Sequence, residues 1–480
     1  MATQLTHWKY LFAPDSVALI GASNTPGSWG HGIMRHLLTS DRRKIYPVNP
    51  KAAEVLGIQA YDSVVNIPGL VDLAVIAVSA PQVPAVIRQC AQKGVRAAVV
   101  VAGGFAETGE GGSELEANLV KVAREGGIRF IGPNSMGHAD TFSQLSTLAW
   151  MGEITPGPVA LLSQSGNLGH RILHNGVSSG LGFSKFVSTG NEADLHLEDY
   201  LEYLAQDENT KVITAYIEGL REGRRFFHLA KEITPRKPII VIKAGGTKES
   251  AKAAMSHTAA LTGSDAVYAA AFRQAGVIRV DDDDELCDLV AALLYQPLPK
   301  GNRIGILTIG GGMGVVAAEA SEREGLEIAQ LAPSTIEKMD AYLPPRWSRG
   351  NPVDMAGISM AENPATFSVL WALIEDENLD AVLLQAPVGF DAKRLSSIFN
   401  TSEIKAFRQA EESNLVLLGQ RVREYGKPVF MVKPAVEFVN DPEVSSLFRR
   451  EGIPVYPGPQ RAARVLKHLV WYRRYLNAVA

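Results

Sequence analysis

Short apolar runs alternate with helix-like patterns through about the first 145 residues of the chain. The first run, Ser16–Ile20, leads into a glycine-rich stretch, Gly21–Gly30, and apolar residues at helical spacing follow from Ile33 to Leu38. Further apolar runs predict strands at residues 45–48, 73–78, 97–101 and 129–131. Strands that alternate with helices in this way are typical of a parallel, doubly wound α/β sheet.

Two segments with the composition of linkers divide the rest of the chain. They are Thr155–Pro158 and Gln296–Gly301, and each precedes an apolar run that enters a glycine-rich loop and then a helix. At about 150 residues per domain, a chain of 480 residues suggests three domains. We therefore predict three doubly wound units, at residues 1–148, 149–298 and 299–480.

The second and third units match each other in sequence, which indicates an internal repeat. Lys237 and the strand after it match Lys427 and its strand, and Phe272 matches Phe448. Between the end of that strand and the phenylalanine, the first copy has 29 residues and the second has 15. The first copy therefore carries about 14 additional residues, and His257 lies among them.

His257 is a candidate for chemistry because of what the repeat places beside it, although a histidine in a flexible surface turn is the simpler alternative. Glu218 ends a strand that we expect to lie beside the strand ending at Lys243, and the second copy has Pro387 at the matching position. In a doubly wound sheet both strand ends open on the same edge as the loop at 163–169, which precedes a helix. A carboxylate bonded to one ring nitrogen leaves the other as a nucleophile, and a helix N-terminus favours a phosphoryl group. These features predict phosphoryl transfer through an N-phosphohistidine.

The first glycine-rich loop indicates a nucleotide that is not NAD. The loop suits a pyrophosphate, but it does not have the G-x-G-x-x-G spacing. After the second strand, Asn49 and Lys51 stand where an NAD site would carry an acidic residue for the ribose hydroxyls. A lysine there favours an extra phosphate, such as the 3′-phosphate of coenzyme A. A NAD-dependent oxidoreductase is therefore disfavoured.

Composition excludes several other classes of protein. The net charge of −4 does not support a nucleic-acid surface, and no apolar run approaches the ~18 residues that would span a bilayer. The N-terminus has no signal-peptide pattern, and the two cysteines fit neither a metal site nor a disulfide framework. We therefore expect a cytoplasmic protein without its own metal site. The acidic run Asp281–Asp284 is interpreted as the start of a helix.

Five stretches of the chain resemble the NDP-forming acyl-CoA synthetases, and most closely the α subunits of the ADP-forming members, which are relatives of the succinyl-CoA synthetase α subunit. The resemblance covers essentially the whole chain. It rests on Ser256–Leu261, Tyr216–Gly219, Gly132–Gly137, Ser163–Gly166 and Asn351–Asp354. The fold it implies is a Rossmann-like CoA-binding domain followed by two flavodoxin-like, succinyl-CoA synthetase-like domains.

The resemblance also implies roles for individual residues. His257 would carry the phosphoryl group, with Glu218 as its stabilising partner. The phosphate-binding residues would be Ser163, Gln164, Ser165, Gly166 and Asn167, and Asn134 and Ser135 would lie near the acyl group. CoA would be bound by the N-terminal loops, through Ser23, Asn24, Thr25, Gly27, Lys51, Ser79, Gly103 and Phe105. The chain has Ala259 where the family often has glycine, and Ser135 where it often has cysteine. Because of the second difference, the family's substrate preference does not carry over directly to this chain.

The activity implied is an acid–CoA ligase (ADP-forming) that exchanges acid, CoA and ATP with acyl-CoA, ADP and phosphate through an acyl phosphate. ATP or ADP and Mg²⁺ would be bound by a separate ATP-grasp β subunit, in an α2β2 assembly. Half of the loop at 244–263 can reach ~30 Å, which suits a histidine that moves between two subunits. The resemblance fits acetate, a branched or aryl acid and a dicarboxylate alike. The alternative function is a CoA- or acyl-CoA-binding regulatory protein without ligase activity.

Overall fold

A computed structural model gives the structure of the chain. It describes residues 6–150, 152–247, 249, 264–355, 363–385, 388, 395–397, 399–433 and 442–480. The chain forms two compact units, Met1–Cys287 and Asp288–Ala480. Among the described residues, no helix is both long and apolar enough to span a membrane.

The first sheet is parallel throughout and follows the predicted alternation of strands and helices. Its strands, with a small separate hairpin formed by β3 and β4, are β1 (Ser16–Ile20), β2 (Lys44–Val48), β3 (Glu54–Val55), β4 (Ile58–Gln59), β5 (Leu73–Ile76), β6 (Ala97–Val100) and β7 (Arg129–Ile131). The helices of this part are α1 (Thr6–Phe12), α2 (Trp29–Leu37), α3 (Val83–Lys93) and α4 (Glu110–Glu125). The strand order is β2-β1-β5-β6-β7. Tyr61 also forms a parallel bridge to Val48, the last residue of β2, which adds a rudimentary strand beside β2 and completes the Rossmann order 3-2-1-4-5-6.

The second sheet has seven strands, and its five-stranded parallel core has the flavodoxin order. The strands are β8 (His138–Asp140), β9 (Leu145–Ser146), β10 (Pro156–Ser163), β11 (Phe183–Ser188), β12 (Val212–Ile217), β13 (Ile239–Lys243) and β14 (Ile278–Val280). The helices are α5 (Gly166–Ser178), α6 (Leu197–Gln206), α7 (Gly223–Ile233), α8 (Asp265–Gln274) and α9 (Asp283–Tyr295). Strands β10 to β14 are arranged as 2-1-3-4-5. The β8–β9 hairpin precedes residue 149 in sequence and pairs antiparallel with the edge of β11.

The third sheet repeats the strand order of the second. Its strands are β15 (Arg303–Thr308), β16 (Glu327–Ile328), β17 (Val353–Asp354), β18 (Ala381–Gln385), β19 (Val429–Val432) and β20 (Val455–Tyr456). The described helices around it are α10 (Gly311–Arg323), α11 (Pro333–Asp340), α12 (Asn363–Glu375), α13 (Thr401–Tyr425), α14 (Pro442–Arg450) and α15 (Pro459–Val479). The order β16-β15-β18-β19-β20 is again 2-1-3-4-5, so the repeat inferred from sequence is also present in the topology.

The core of the first unit runs without a break from the first sheet to the second. Strands β1, β5 and β6 are buried along their whole length, as expected for parallel strands covered on both faces. One apolar cluster joins Trp8 and Phe12 of α1 to Tyr200 and Leu201 of α6. Each such side chain contributes about 1.5–3 kcal/mol on burial, so this cluster stabilises the two sheets together.

The start of α9 agrees with the interpretation of the acidic run. Asp283, Asp284 and Glu285 occupy its first turn, where carboxylates favour the helix dipole. Asp283 also accepts two hydrogen bonds from the Arg171 guanidinium, at 3.0 and 2.9 Å. Among the described residues, no group of three or more histidine, cysteine or acidic side chains is arranged to hold a metal ion.

Candidate active site

The carboxyl ends of β10, β12 and β13 lie side by side at one edge of the second sheet. In the parallel register Ser163 pairs with Tyr216, and Ile217 pairs with Lys243. The loop after Ser163, the Glu218 backbone and the start of the segment after Lys243 therefore meet at that edge. The predicted adjacency of these strand ends is confirmed.

Gln164 fixes the loop that carries Glu218. Its side-chain oxygen accepts hydrogen bonds from the Glu218 and Gly219 N–H groups, at 2.6 and 3.1 Å. Its side-chain nitrogen donates to the Gly219 carbonyl oxygen at 2.7 Å. One amide thus holds both sides of the turn after β12, so the position of Glu218 depends on Gln164.

The loop from Ser163 to Asn167 forms a helix start that suits an anion. The Ser163 hydroxyl donates to the Ser165 carbonyl at 2.6 Å, and the Ser165 hydroxyl caps α5 by accepting from the Leu168 N–H at 3.4 Å. Asn167 is exposed in the first helical turn. The first N–H groups of a helix have no acceptor within the helix, and together with the dipole they favour a phosphoryl group.

Glu218 is 6% exposed, and a lysine beside it holds its backbone. The Lys243 ammonium donates to the Glu218 carbonyl at 2.9 Å and also to the Ala244 carbonyl, and it lies 4.5 Å from the centre of the Tyr268 ring. Burial and the nearby Arg279 charge lower the pKa of Lys243. Burial, with the charge of Glu218, raises the pKa of Tyr216 to about 12. The strand ends thus provide a largely dry, polar environment for Glu218.

Asn134 and Ser135 differ in their access to this edge. Asn134 is exposed, adopts a left-handed conformation with φ 58°, and its side-chain nitrogen lies 3.3 Å from the Asn191 side-chain oxygen. Ser135 is buried; its hydroxyl donates to the Ser188 carbonyl at 2.5 Å and accepts from the Gly137 N–H at 3.0 Å. Of the two predicted acyl-site residues, only Asn134 presents its side chain at the surface.

Asn191 is a central residue of the site that the sequence analysis did not identify. Its side-chain nitrogen donates to Glu107 at 2.5 Å and to Glu116 at 2.9 Å. Its carbonyl accepts from the Arg221 guanidinium at 2.8 Å, and its N–H donates to the Pro133 carbonyl at 2.9 Å. The available signal was a Thr-Gly-Asn turn directly after β11.

Gly190 makes this contact between the two halves of the site possible. Its φ is +63°, and a Cβ there would lie 2.2 Å from the Pro133 carbonyl oxygen. Only glycine combines that conformation with so close an approach. The turn after β11 can therefore pack directly on the loop that carries Asn134.

The residues predicted to bind CoA follow the strands of the first sheet, at its carboxyl edge. Asn24 is held in place: its side chain donates to the Glu54 carbonyl and accepts from the Leu56 N–H, both at 2.9 Å. The Asn49 side chain donates to the Ala22 carbonyl at 2.8 Å and accepts from the Lys51 N–H at 2.8 Å. Asn49 therefore joins the first two strand-end loops, and the exposed Lys51 side chain projects from them.

The remaining predicted CoA residues are arranged less uniformly. Thr25, Gly27, Ser79 and Gly103 are exposed, and the Ser23 hydroxyl accepts from the Thr25 N–H at 3.0 Å. Phe105 is fully buried in the core, and its N–H, like that of Gly104, donates to Glu107. The Phe105 side chain thus lies in the interior, and Glu107 already occupies the two N–H groups of its loop.

His257 and Pro387 lie outside the described residues. The segment that contains His257 begins beyond β13, at the same edge as Glu218, and the described chain resumes at Ser264 before α8. The assigned roles of the site residues stay predictions, as do the exact domain boundaries.

Three family models match the chain along its length. A CoA binding domain matches residues 15–140, a succinyl-CoA ligase-like flavodoxin domain matches residues 156–293, and a ligase-CoA domain matches residues 304–387. The chain is 38% identical over 461 residues to the α subunit of an ADP-forming acetate–CoA ligase (II) of Pyrococcus furiosus, covering 96% of this chain and 97% of that one.

Two further relatives agree with these matches. An ADP-forming acetate–CoA ligase (I) of Archaeoglobus fulgidus is 40% identical, and the match covers 97% of this chain but 63% of that longer protein. The solved structure of an acetyl-coenzyme A synthetase of Ca. Korarchaeum cryptofilum, in complex with phosphate and ADP, has a TM-score of 0.84 at 33% identity, with 98% of both chains covered. The chain therefore belongs to the family of NDP-forming acyl-CoA synthetases, whose members include the ADP-forming acetate–CoA ligase α subunits that it resembles.

Proposed function

We propose that the chain is the α subunit of an acid–CoA ligase (ADP-forming) that carries a phosphoryl group on His257. The observation that carries the proposal is the set of hydrogen bonds between the Gln164 side chain and the backbone of Glu218 and Gly219. They hold a buried carboxylate beside a helix N-terminus, and the segment containing His257 starts at the same edge. Family membership supports a ligase more than a pure CoA-binding protein, which has no use for this arrangement.

The chemistry proceeds in three balanced steps. Phosphate attacks the thioester carbonyl of acyl-CoA, the C–S bond breaks, and CoA leaves as an acyl phosphate forms. A ring nitrogen of His257 then attacks phosphorus, the P–O bond to the acyl oxygen breaks, and the acid is released as its carboxylate. The phosphoryl group finally passes to ADP, giving ATP and free histidine. Glu218 would orient the imidazole and stabilise its charge, while the N–H groups of α5 would neutralise the phosphoryl oxygens.

CoA would bind at the carboxyl edge of the first sheet. The exposed Lys51 ammonium suits a terminal phosphate, and the glycine-rich loop before α2 brings backbone close to the pyrophosphate. The loop is tight because Gly30 lies against the Gly21 carbonyl, which a Cβ at Gly30 would approach to 2.0 Å. The acyl end would then extend towards Asn134, between the first two sheets.

The nucleotide half-reaction would take place on an ATP-grasp β subunit that brings ATP or ADP and Mg²⁺, in an α2β2 assembly. The Pyrococcus furiosus relative is named as an α subunit, which supports a partner chain, and the match covers 63% of the longer Archaeoglobus fulgidus relative. The substrate would be a small carboxylic acid, or its acyl-CoA with phosphate in the reverse direction.

The test is incubation of the chain with phosphate and a panel of acyl-CoAs, followed by intact-mass analysis. We expect an acid-labile gain of one phosphoryl group in the wild type and none in His257→Ala. Glu218→Gln should form the adduct more slowly, because it keeps the shape of the side chain and loses its charge. Absence of the adduct with every acyl-CoA, with and without an ATP-grasp partner, would overturn the proposal in favour of a CoA-binding regulatory protein.

A further inference from the structure

Glu192 is a buried acid directly behind the candidate phosphate-binding loop. It is 2% exposed and adopts a left-handed conformation with φ 53°, which is uncommon for a residue other than glycine. Its Oε1 accepts from the Thr189 hydroxyl at 2.8 Å. Thr189 in turn donates its N–H to the Ser163 carbonyl at 2.8 Å, and its hydroxyl oxygen lies 3.3 Å from the same carbonyl oxygen. Glu192 is thus connected to the first residue of the phosphate loop.

The surroundings of Glu192 disfavour a negative charge. Its Oε2 is buried without a hydrogen-bond partner among the described residues, and the same is true of Glu198 Oε2 and the Tyr200 hydroxyl. Among the described residues, the charged and titratable groups that face it include Glu198 and Tyr200 of α6 and Arg221 of the loop after β12. Burial, with the charge of Glu198, raises the pKa of Glu192 to about 7, while Thr189, Gln164 and Arg221 lower it.

We propose that Glu192 is a positioning residue that links phosphate binding to a proton: its uncharged carboxyl supports the Gln164-centred loop and admits an anion, and its carboxylate opposes the anion. The proposal extends the proposed function, on which it rests, to a residue with no assigned role. Gln164 is the connection, since it lies beside Glu192 and holds the loop of Glu218.

The link works in both directions by thermodynamic necessity. A phosphate dianion beside the loop raises the cost of ionising Glu192, so loss of the Glu192 proton weakens phosphate binding by the same factor. Coupling between sites of this kind is typically worth about 5- to 150-fold in affinity. The transfer step itself, at His257, does not require the proton. The concentration of phosphate that gives half-saturation should therefore change with pH while the rate at saturation does not.

The experiment compares the wild type with Glu192→Gln, which keeps shape and hydrogen-bonding capacity and cannot ionise. The half-saturating phosphate concentration for acyl-CoA-dependent phosphorylation is measured from pH 6 to 8.5. The ionisation of phosphate itself is common to both proteins and cancels in their ratio. We expect the half-saturating phosphate concentration of the wild type, divided by that of the variant, to rise about fivefold or more across the range. The ratio of their rates at saturating phosphate should not change with pH. A ratio of half-saturating phosphate concentrations that is constant with pH overturns the proposal.

A matched control is Glu198→Gln, which replaces the buried acid of α6 that faces Glu192. We expect it to keep the pH-dependent rise, displaced to lower pH because a charge beside Glu192 has been removed. Complete loss of the rise in Glu198→Gln would overturn the assignment of the proton to Glu192. If no protein is phosphorylated, the proposed function has failed separately. Calorimetry then measures the affinity for inorganic phosphate at pH 6 and 8.5 in the wild type and in Glu192→Gln. A wild-type affinity that, relative to the variant, is equal at the two pH values overturns the role of Glu192. Absence of phosphate binding overturns it as well.

Discussion

The Asn191 side-chain nitrogen lies 2.5 Å from Glu107 Oε2, which joins the turn after β11 to the loop after β6. Glu107 in turn accepts from the Gly104 N–H at 2.6 Å. Burial acts to raise the pKa of Glu107, but the hydrogen bonds from Asn191, Gly104 and Phe105 outweigh it and lower the pKa. A single amide therefore couples the candidate CoA loop to the candidate acyl site.

Asn191→Asp should break this coupling. It places a third carboxylate between Glu107 and Glu116 and removes the amide donor that both share, at a cost of about 1–3 kcal/mol. We expect faster hydrogen exchange in peptides covering residues 103–107 and 189–192. The double variant Asn191→Asp with Glu107→Gln should recover part of the protection, and wild-type exchange in the single variant would contradict the prediction.

Gln164→Leu should uncouple Glu218 from the helix start. The variant leaves the Glu218 and Gly219 N–H groups without their acceptor, and each unpaired buried group costs about 1–3 kcal/mol. We expect the rate of phosphohistidine formation to fall by more than tenfold, while CoA binding, measured by calorimetry, stays within about twofold of the wild type. A proportional loss of the phosphorylation rate and of CoA affinity would indicate general unfolding rather than displacement of the Glu218 loop.

Gly190→Ala should be far more damaging than the same change at a matched position. Gly127 has a similar φ of +67°, and a Cβ there meets nothing within 4 Å. Both substitutions carry the strain of a left-handed alanine, of order 1 kcal/mol, but only Gly190→Ala collides with the Pro133 carbonyl. We expect the Gly190 variant to lower both melting temperature and phosphorylation rate relative to Gly127→Ala. Equal effects would show that the close approach is unimportant.

The fold followed from sequence because its signals are local. Apolar runs such as Ser16–Ile20 end in glycine-rich loops, and the spacing of Lys237 and Lys427 identified the repeat, so the strand edge that carries Glu218 could be inferred. Asn191 and Glu192 could not be inferred in this way. Asn191 matters because its turn packs against Pro133, about 60 residues earlier in the chain. Glu192 matters because it is buried against α6, which is a different element.

The same limit applies to Phe105, which stays a predicted CoA-binding residue although its side chain is buried. In sequence it follows two glycines at a strand end, which indicates a loop open to a ligand. Its side chain nevertheless packs in the core beneath the sheet. Whether a side chain in such a loop faces outward depends on whether the core has space for it. That space is set by residues distant in sequence, so the local pattern does not predict it.

Lys185 should be essential for the stability of the first unit. Its side chain is 2% exposed, and its ammonium pairs with Asp207 at 2.8 Å and Asp140 at 3.2 Å and lies 5.6 Å from the centres of the stacked Phe12 and Tyr203 rings. Lys185→Met leaves two buried carboxylates unpaired, and breaking such a pair costs about 3–5 kcal/mol. We expect a lower urea midpoint, which the triple variant Lys185→Met, Asp140→Asn and Asp207→Asn restores in large part. An unchanged midpoint in the single variant would contradict this.

His138 and Glu192 should give stability profiles of opposite slope. Burial lowers the pKa of His138 from 6.5 to about 4, so the unfolded chain binds the proton first and stability is lost as pH falls from 6.5 towards 4. Glu192, raised from 4.5 to about 7, holds its proton in the native state, so stability is lost as pH rises through that range. Each effect amounts to about 3 kcal/mol.

Because the two slopes oppose each other, only differences from variants resolve them. Relative to His138→Gln, the wild type should lose stability between pH 6.5 and 4. Relative to Glu192→Gln, it should lose stability between pH 4.5 and 7. Apparent melting temperatures over pH 4–8 for the three proteins provide the measurement, and parallel curves for the wild type and either variant would contradict the corresponding assignment.

The β8–β9 hairpin has a consequence for how proteins of this kind can be recombined. It follows the first sheet along the chain, yet it pairs with β11 in the second sheet, and His138 on it is bonded to the Leu11 carbonyl at 2.6 Å. A genetic crossover after the hairpin would leave β11 with an open edge, which invites aggregation. A crossover before it would remove the partner of α1. The first two sheets thus form one structural module, although each sheet is separate.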